Sequence, residues 1–366
     1  AIDQTKLDPV LIQTDYNTLD GLSLVFKRHF GVFFLEWHTD HYLCNLNKFK
    51  AETIQLHNNF FGHTGIVKLD MNLNILSINF DDDNNEVDLS NSSEVGMACK
   101  RIIASMLTIL SWTVHLGLVH YIVADEWNYK FCTMIYAANK THPLVNLVKP
   151  LMLGTQSSGN LASIVLANNL SINISSTISN IEPQSIVKLV KKHYSDIENN
   201  IYWPAIKARL GPINTPMSNT LDSWWNLISD FINNYVNLYY HNEEALTYDS
   251  TVVSWISSLG IFDNSEVNLA ALKQVLSMMY FNLVIHEACS NSQLIYDSLE
   301  NKVFFSIRND KPDGLPSATQ HFRSVETFVA TSGEAANFSS NPYTYMASDS
   351  SAGLVCANFM NELVVF

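Results

Sequence analysis

From Ser93 onward the chain is written in a helical period. Apolar residues return every three or four positions over Val95–Val123, Gln184–His193, Ser223–His241, Thr251–Ser258 and Val267–Cys289, and these stretches are expected to be helices. Ser223, after Leu221 and Asp222, and the pair Val267 and Asn268, after an acidic turn, supply start signals. An earlier stretch keeps a different period: "GIVKLDMNLNILSINF" (Gly65–Phe80) alternates apolar and polar about an Asn-rich centre, which predicts a β-hairpin turning near Asn72–Asn74. The acidic "DDDNNEVD" that follows reads as a solvated loop. The opening to about Lys50 mixes short apolar runs such as "VFFLEW" with polar joints, and is expected to be irregular before it leads into a helix. Beyond Glu300 the pattern weakens, and Pro312, Gly314 and Pro316 mark a loop. The closing "GLVCANFMNELVVF" is apolar and is expected to be buried. With no repeat of fixed period and no Pro/Gly/Ser-rich linker, residues 1–366 read as a single domain, mainly α, with a small β portion near residues 65–80.

Composition sharpens this picture. Of 366 residues, 47% are hydrophobic and 15% charged, which suits a large interior and excludes a disordered chain. A formal net charge of -14 is expected to repel phosphate backbones and anionic membrane surfaces, so nucleic acid is excluded as a partner. Cys44, Cys99, Cys132, Cys289 and Cys356 are scattered, form no CxxC pair and are odd in number, so neither a disulfide framework nor a zinc ribbon is indicated. Sequons beginning at Asn91, Asn139, Asn169, Asn173 and Asn337, with a start at Ala1, favour a secreted chain over a cytoplasmic one. Ile102–Ala124 carries no Asp, Glu, Lys or Arg and is long enough to span a bilayer. His115, His120, Ser105, Thr108, Ser111 and Thr113 punctuate it, and it reads instead as the central helix of a large helical protein, with no stable membrane insertion.

His115 and His120 raise the chemical question. Five residues apart on an α-helix, they point roughly 140° away from each other. A π-type bulge between them would bring both rings toward one face, and such bulges occur mostly at functional sites. On a second apolar stretch, "LVIHEACSN", His286 and Ser290 are four apart and share a face without distortion. Neutral imidazole is the commonest protein ligand for iron, manganese and zinc, so three histidines on two buried helices make a metal site one reading. The other is that each is a core histidine satisfied by carbonyls. "HTDH" (His38–His41) competes as the start of a two-histidine, one-carboxylate iron site, but that arrangement belongs to a β-sandwich barrel.

Several stretches in chain order, between about Phe33 and Asn291, resemble the catalytic domain of lipoxygenases. "FFLEWHTD" is similar to the family's Leu-Asp-Tyr-His-Asp segment, and "GIVKLDMNLNILSINF" to the strand pair before the central helices. "VHLGLVH" resembles the first ligand pair, "THPLVNLVKP" (Thr141–Pro150) the His-Pro-Leu/Ile motif, "TQSSGNLAS" (Thr155–Ser163) the Thr-x-x-x-Asn-x-Leu-Ala-Arg stretch, and "NNYVNLYYHNEEAL" (Asn233–Leu246) the Tyr-Val-x-Leu-Tyr-Tyr helix. The resemblance implies a mainly helical fold around one non-haem iron, or manganese, held by His115, His120 and His286, with Ser290 at the fourth position and the main-chain carboxylate of Phe366 completing the set. Ser290 falls where the family has Asn or His, so the fourth position is either a weak hydroxyl or empty, and Asn291, one residue on, points elsewhere on a regular helix. Ser163 replaces the usual Arg, His120 to His142 is longer than usual by about one helical turn, and no counterpart of the family's N-terminal β-barrel domain is seen.

The activity so implied is insertion of O2 into a polyunsaturated fatty acid or related lipid to give a hydroperoxide, with no catalytic residue beyond the metal site. Leu116, Leu161, Val165 and Leu166 are assigned to the substrate channel, Val165 at the place where a small residue guides oxygen. Leu107, Trp112, Met278 and Phe281 are further channel candidates, for which simple core packing is the favoured reading. Two other outcomes stay open: an enzyme of the same scaffold that isomerises or cleaves lipid hydroperoxides or oxidises another unsaturated lipid, and a metal-free lipid-binding relative. A metal-dependent hydrolase using Glu287 as base is a more distant reading.

Overall fold

Asn91 opens a 45-residue helix, Ser92–Tyr136. Its Oδ1 accepts from the N–H groups of Ser93 (3.1 Å) and Glu94 (3.5 Å), and its Nδ2 donates to Glu94 Oε1 at 2.8 Å, so the free donors of the first turn are capped. Arg101 to His115 is buried without a break, as an interior helix apolar on all sides must be. By length and composition the helix could cross a membrane, yet its most apolar 18-residue window lies entirely inside the protein. Arg101, the charge in its buried part, stands over the rings of Phe61 (4.0 Å) and Phe80 (3.6 Å), which supply the aromatic faces a desolvated guanidinium favours.

A computed structural model describes residues 8–55, 57–80, 85–151, 181–263, 266–286, 296–298, 300–321 and 350–365. The chain divides into two compact units: Ala1–Leu118, Ala162–Thr220 and Cys289–Ser332 form one, and Val119–Leu161, Leu221–Ala288 and Gly333–Phe366 the other.

In the first unit the opening is more regular than its sequence predicts. Leu19–Arg28 is a helix capped by Thr18, whose hydroxyl accepts from Gly21 N–H at 3.0 Å, and its Leu22, Val25 and Phe26 are buried one turn apart. "VFFLEW" divides between a 3-10 turn, Phe30–Phe34, and strand β1, Leu35–His38. Strands β2 (His41–Asn45), β3 (Ile66–Leu69), β4 (Ile75–Phe80) and β5 (Asn85–Glu86) complete an antiparallel meander in sequence order. Its buried face carries Tyr42, Cys44, Val67, Leu69, Ile78 and Phe80, the period of two expected of a half-buried sheet. The predicted hairpin is β3–β4; Asp70 Oδ1 accepts from the N–H groups of Asn72 and Asn74, both at 2.8 Å, and fixes the turn.

The second unit is held by aromatic packing. Phe231 stacks on Phe359 of the closing helix, Ser350–Val365, with ring centroids 4.0 Å apart, and Tyr280 meets Phe231 edge-on at 5.6 Å. That helix buries Ala352, Cys356, Phe359 and Met360, as the apolar tail predicts, while Leu354 on its other side is exposed. Lys130 donates to Glu126 Oε1 (2.6 Å) and to the carbonyl of Ser258 (2.7 Å), tying the central helix to Ser250–Ser258. The long helix expected from Ser223 begins earlier, at Pro216, because Thr215 and Ser218 cap each other's N–H groups (3.0 and 3.2 Å) and Pro216 fits the first helical position.

Two glycines give opposite expectations. At Gly96, inside the central helix, an added Cβ meets nothing nearer than 3.6 Å, so Gly96→Ala should stabilise by about 0.5–1 kcal/mol. Gly211 has φ +59° and ψ -135°, and a Cβ there would lie 2.6 Å from Trp37 Cγ, so Gly211→Ala should cost about 1–3 kcal/mol. Urea midpoints of the two variants should move in opposite directions.

Candidate metal centre

Ser111–Trp127 is wound as a π-helix, with N–H groups reaching carbonyls five residues back. In that register residues five apart lie closer to one side, so the angle that separates His115 and His120 on an α-helix is narrowed. Both imidazoles are withdrawn from water, His115 at 3% exposure and His120 at 2%. Trp112, Thr113, Leu118 and Val119 around them on the helix are fully buried. A π-turn leaves a carbonyl without its usual N–H four residues on, and polar side chains bracket the segment accordingly. Thr113 Oγ1 donates to the carbonyl of Ile109 (2.5 Å) and Asn128 Nδ2 to that of Ala124 (3.0 Å), each four residues back.

Gly117 lies between the two histidines. A Cβ there would come within 2.7 Å of Val190 Cγ2 and 3.1 Å of the Trp112 carbonyl, so glycine is what lets the Pro183–Tyr194 helix lie this close.

The second predicted helix makes the same change of winding. Leu269–Tyr280 is α-helical, capped by Asn268 Oδ1 accepting from Ala271 N–H at 2.9 Å, and continues as a π-helix over Phe281–His286. Asn282 Nδ2 donates to the carbonyl of Met278 at 2.7 Å, repeating the four-back contact of the central helix. His286 closes this π-turn. Its side chain and that of Leu116 lie outside the described residues, as do Leu161, Ser163, Val165, Leu166, Glu287, Ser290, Asn291 and Phe366. Leu107, Trp112, Met278 and Phe281 are core residues, each at most 1% exposed. Among the described residues no group of three or more His, Cys, Asp or Glu side chains is placed to hold a metal ion. The described part of the proposed set is thus His115 and His120, two nitrogen donors in apolar surroundings, a donor type that iron and manganese both accept. His38 and His41 are elsewhere: they face each other across the β1–β2 turn, rings stacked at 5.6 Å, with His41 Nδ1 2.6 Å from the exposed Asp40 carboxylate.

A polar cluster in the second unit is not evident from the sequence. His142 Nε2 lies 2.8 Å from Asp249 Oδ2, the Tyr240 hydroxyl donates to the same oxygen at 2.7 Å, and His142 Nδ1 accepts from Leu144 N–H at 3.1 Å, so Nε2 carries the proton. Asp249 also caps the Ser250–Ser258 helix through Val252 N–H (3.2 Å). Burial raises the Asp249 pKa, but the hydrogen bonds from His142, Tyr240 and Val252 outweigh it and hold the carboxyl below its usual 3.8. The separation of His142 and Asp249 by 107 residues hides the pairing from any local pattern.

No protein-family model matches the chain, and no curated protein matches it by sequence. Solved structures do match. An engineered LOX variant aligns with a TM-score of 0.78 at 14% identity, over 98% of this chain and 65% of that one. A calcium-dependent 11R-lipoxygenase gives 0.75 at 13% identity, over 95% and 61%, and the fungal lipoxygenase from Fusarium graminearum 0.73 at 12%, over 95% and 69%. The chain has the lipoxygenase fold. An engineered LOX solved anaerobically in complex with arachidonate also aligns, with a TM-score of 0.70 at 16% identity, over 88% of this chain and 55% of that one. This lipoxygenase-fold chain therefore spans less than two thirds of the length of the engineered LOX and 11R-lipoxygenase chains. At such identities the likeness is one of fold and assigns no residue.

Two outcomes test the described geometry of this lipoxygenase-fold chain. Gly117→Ala should overpack the contact with Val190 and lower stability by about 1–3 kcal/mol in denaturant titrations. Asp249→Ala should cost about 2–3 kcal/mol at neutral pH through loss of a cap and of hydrogen bonds to a charged group. Because the folded Asp249 pKa is depressed, its contribution is present above pH 3.8 and fades as pH falls through the folded value. The gap in stability between wild type and variant should therefore narrow on acidification below about pH 4.

Proposed function

We propose that this lipoxygenase-fold chain is a non-haem metal dioxygenase that inserts O2 into a polyunsaturated fatty acid or related lipid to give a hydroperoxide. The observation that carries the reading is the π-helical register of Ser111–Trp127, which brings a five-residue histidine spacing toward one side of a buried helix. His115, His120 and His286 would hold the ion, with Ser290 and the carboxylate of Phe366 completing the set. Iron is the first choice and manganese the second, since both take nitrogen and oxygen donors. Iron bound there supplies the one-electron and dioxygen chemistry that a doubly allylic methylene requires.

The chain's own residues supply orientation and dryness. The π-register would set where His115 and His120 stand, and Trp112, Leu118, Val119 and Val123 of the same segment are fully buried, as a dry site requires. Arachidonate, bound by one of the fold's solved members, supports a polyunsaturated fatty acid as the substrate class. A second reading, rearrangement of a lipid hydroperoxide on the same scaffold, is motivated by Ser290 in place of the resembled family's Asn or His and by Ser163 in place of its Arg.

Metal analysis of the purified protein, followed by oxygen-electrode and product measurements with linoleate and arachidonate, separates these outcomes. Stoichiometric iron or manganese with oxygen uptake and hydroperoxide formation is expected. Metal without oxygen uptake, but with consumption of added hydroperoxide, favours the isomerase, and a chain without metal is a lipid binder. His120→Ala and His286→Ala should each abolish metal retention and turnover; a metal-replete, active variant removes that histidine from the set.

A further inference from the structure

The chain carries a formal charge of -14, yet one part of the first unit gathers cations on its surface. The Pro183–Tyr194 helix exposes Gln184, Val187, Lys188, Lys191 and Lys192, while Ser185, Ile186, Leu189, Val190 and His193 are buried. Beside it runs the 3-10 segment Leu46–Glu52 with exposed Lys50; Lys192 Nζ joins the two by donating to the Lys48 carbonyl (2.5 Å) and to Glu52 Oε2 (3.0 Å). Ile54 lies against the helix start, its carbonyl accepting from Glu182 N–H at 2.9 Å. Ile54 and Val187 are large apolar residues left 43% and 37% exposed among these lysines.

The helix dipole accounts for cations in the last turn, where Lys191 and Lys192 stand, but not for Lys188 in the middle nor for the two exposed aliphatics. Of the neighbouring acids, Glu52 is taken up by Lys192, Asp196 lies just past the helix end and accepts from Asn199 Nδ2 (2.6 Å), and Glu182 sits at the far N-terminal end. Among the described residues Lys188 and Lys191 meet no carboxylate within ion-pair distance. His193 adds no charge near neutral pH: it is buried against Phe49, burial lowers its pKa to about 4, and its Nδ1–H is given to the Leu189 carbonyl (3.0 Å). The positive charge here is that of lysines on flexible stems interleaved with apolar side chains. That mixture fits a lipid–water boundary, where ammonium groups reach headgroups and aliphatic side chains enter the boundary layer. A rigid acidic protein surface would leave Ile54 and Val187 without a use.

We propose that the outer face of the Pro183–Tyr194 helix, with Lys50 and Ile54 beside it, is a docking surface for anionic lipid membranes. Net charge does not forbid this, because screening limits repulsion from the rest of the molecule to about 8 Å at physiological ionic strength, while the lysines act at contact. The inner face of the same helix presses Val190 onto Gly117 of the π-segment, two residues from His115. A membrane on the outer face would thus be one helix away from the ligand-bearing backbone. The inference rests on the proposed lipid chemistry for its purpose, but not for its measurement.

Flotation of the full chain with phosphatidylcholine vesicles, with and without phosphatidylserine, tests it. Binding should require phosphatidylserine and weaken as salt is raised. Lys188→Glu/Lys191→Glu should lower partitioning at least tenfold, at about fivefold for each lysine held near the surface. The same variant should keep its circular dichroism and any oxygen uptake with dispersed fatty acid. Lys27→Glu/Lys68→Glu makes the same change in net charge away from the patch and should bind as wild type does. No phosphatidylserine-dependent binding by wild type, equal loss in both double variants, or capture by a polyglutamate peptide but not by vesicles would overturn the proposal. A chain that floats with vesicles yet takes up no oxygen leaves docking standing and sinks only the dioxygenase reading.

Discussion

Ser111–Trp127 is wound so that N–H groups pass over the carbonyl four residues back for the one five back, and most of the candidate chemistry depends on that displaced register. The winding widens the helix and loosens its hydrogen bonds, which is why π-turns are usually short. Here it persists over 17 residues, and the surroundings show what sustains it. Trp112 and Trp127 anchor the segment's two ends in fully buried positions, so unwinding to an α-helix would rotate bulky side chains out of fitted sites. Thr113 and Asn128 occupy carbonyls that the longer register leaves short of a donor. Asn282 does the same where the second helix passes from α to π, so one device serves both helices that carry candidate ligands.

What the sequence discloses follows from how local each signal is. The hairpin over residues 65–80 was legible because alternation and the Asp70–Asn74 turn lie within one short window. The helical stretches were legible for the same reason, and five-residue histidine spacing pointed to a π-register because no α-helix can use it. The opening reads poorly. Leu19–Arg28 and the β1–β2 hairpin are stabilised by burial against distant segments, so their short apolar runs mean little in isolation. The helix starts at Pro216 rather than Ser223 because Thr215 and Ser218 cap each other, a side-chain contact that apolar periodicity does not carry. His142, Tyr240 and Asp249 converge across 107 residues, which no periodicity can reveal.

Charge offers the same lesson in another form. A total of -14 describes the far field, and on that scale an anionic surface is repelled. Function at a surface is decided within a Debye length, where the arrangement of Lys50, Lys188 and Lys191 counts for more than the sum. Sequence alone could see the lysines of "KLVKKH" but not that the 3-10 segment Leu46–Glu52 folds beside them, nor that Ile54 and Val187 stay exposed.

Gly117 joins these themes, because its missing side chain serves two elements at once. It admits Val190 to within contact of the π-helical backbone, and so sets how closely the lysine-bearing helix covers the segment that carries His115. Any residue with a Cβ would have to move one helix or rewind the other. The π-register needs tight packing to persist, and the basic helix needs that backbone as its floor. A single atom's absence thereby sets the spacing between the helix that carries Lys188 and Lys191 and the π-wound segment that carries His115 and His120.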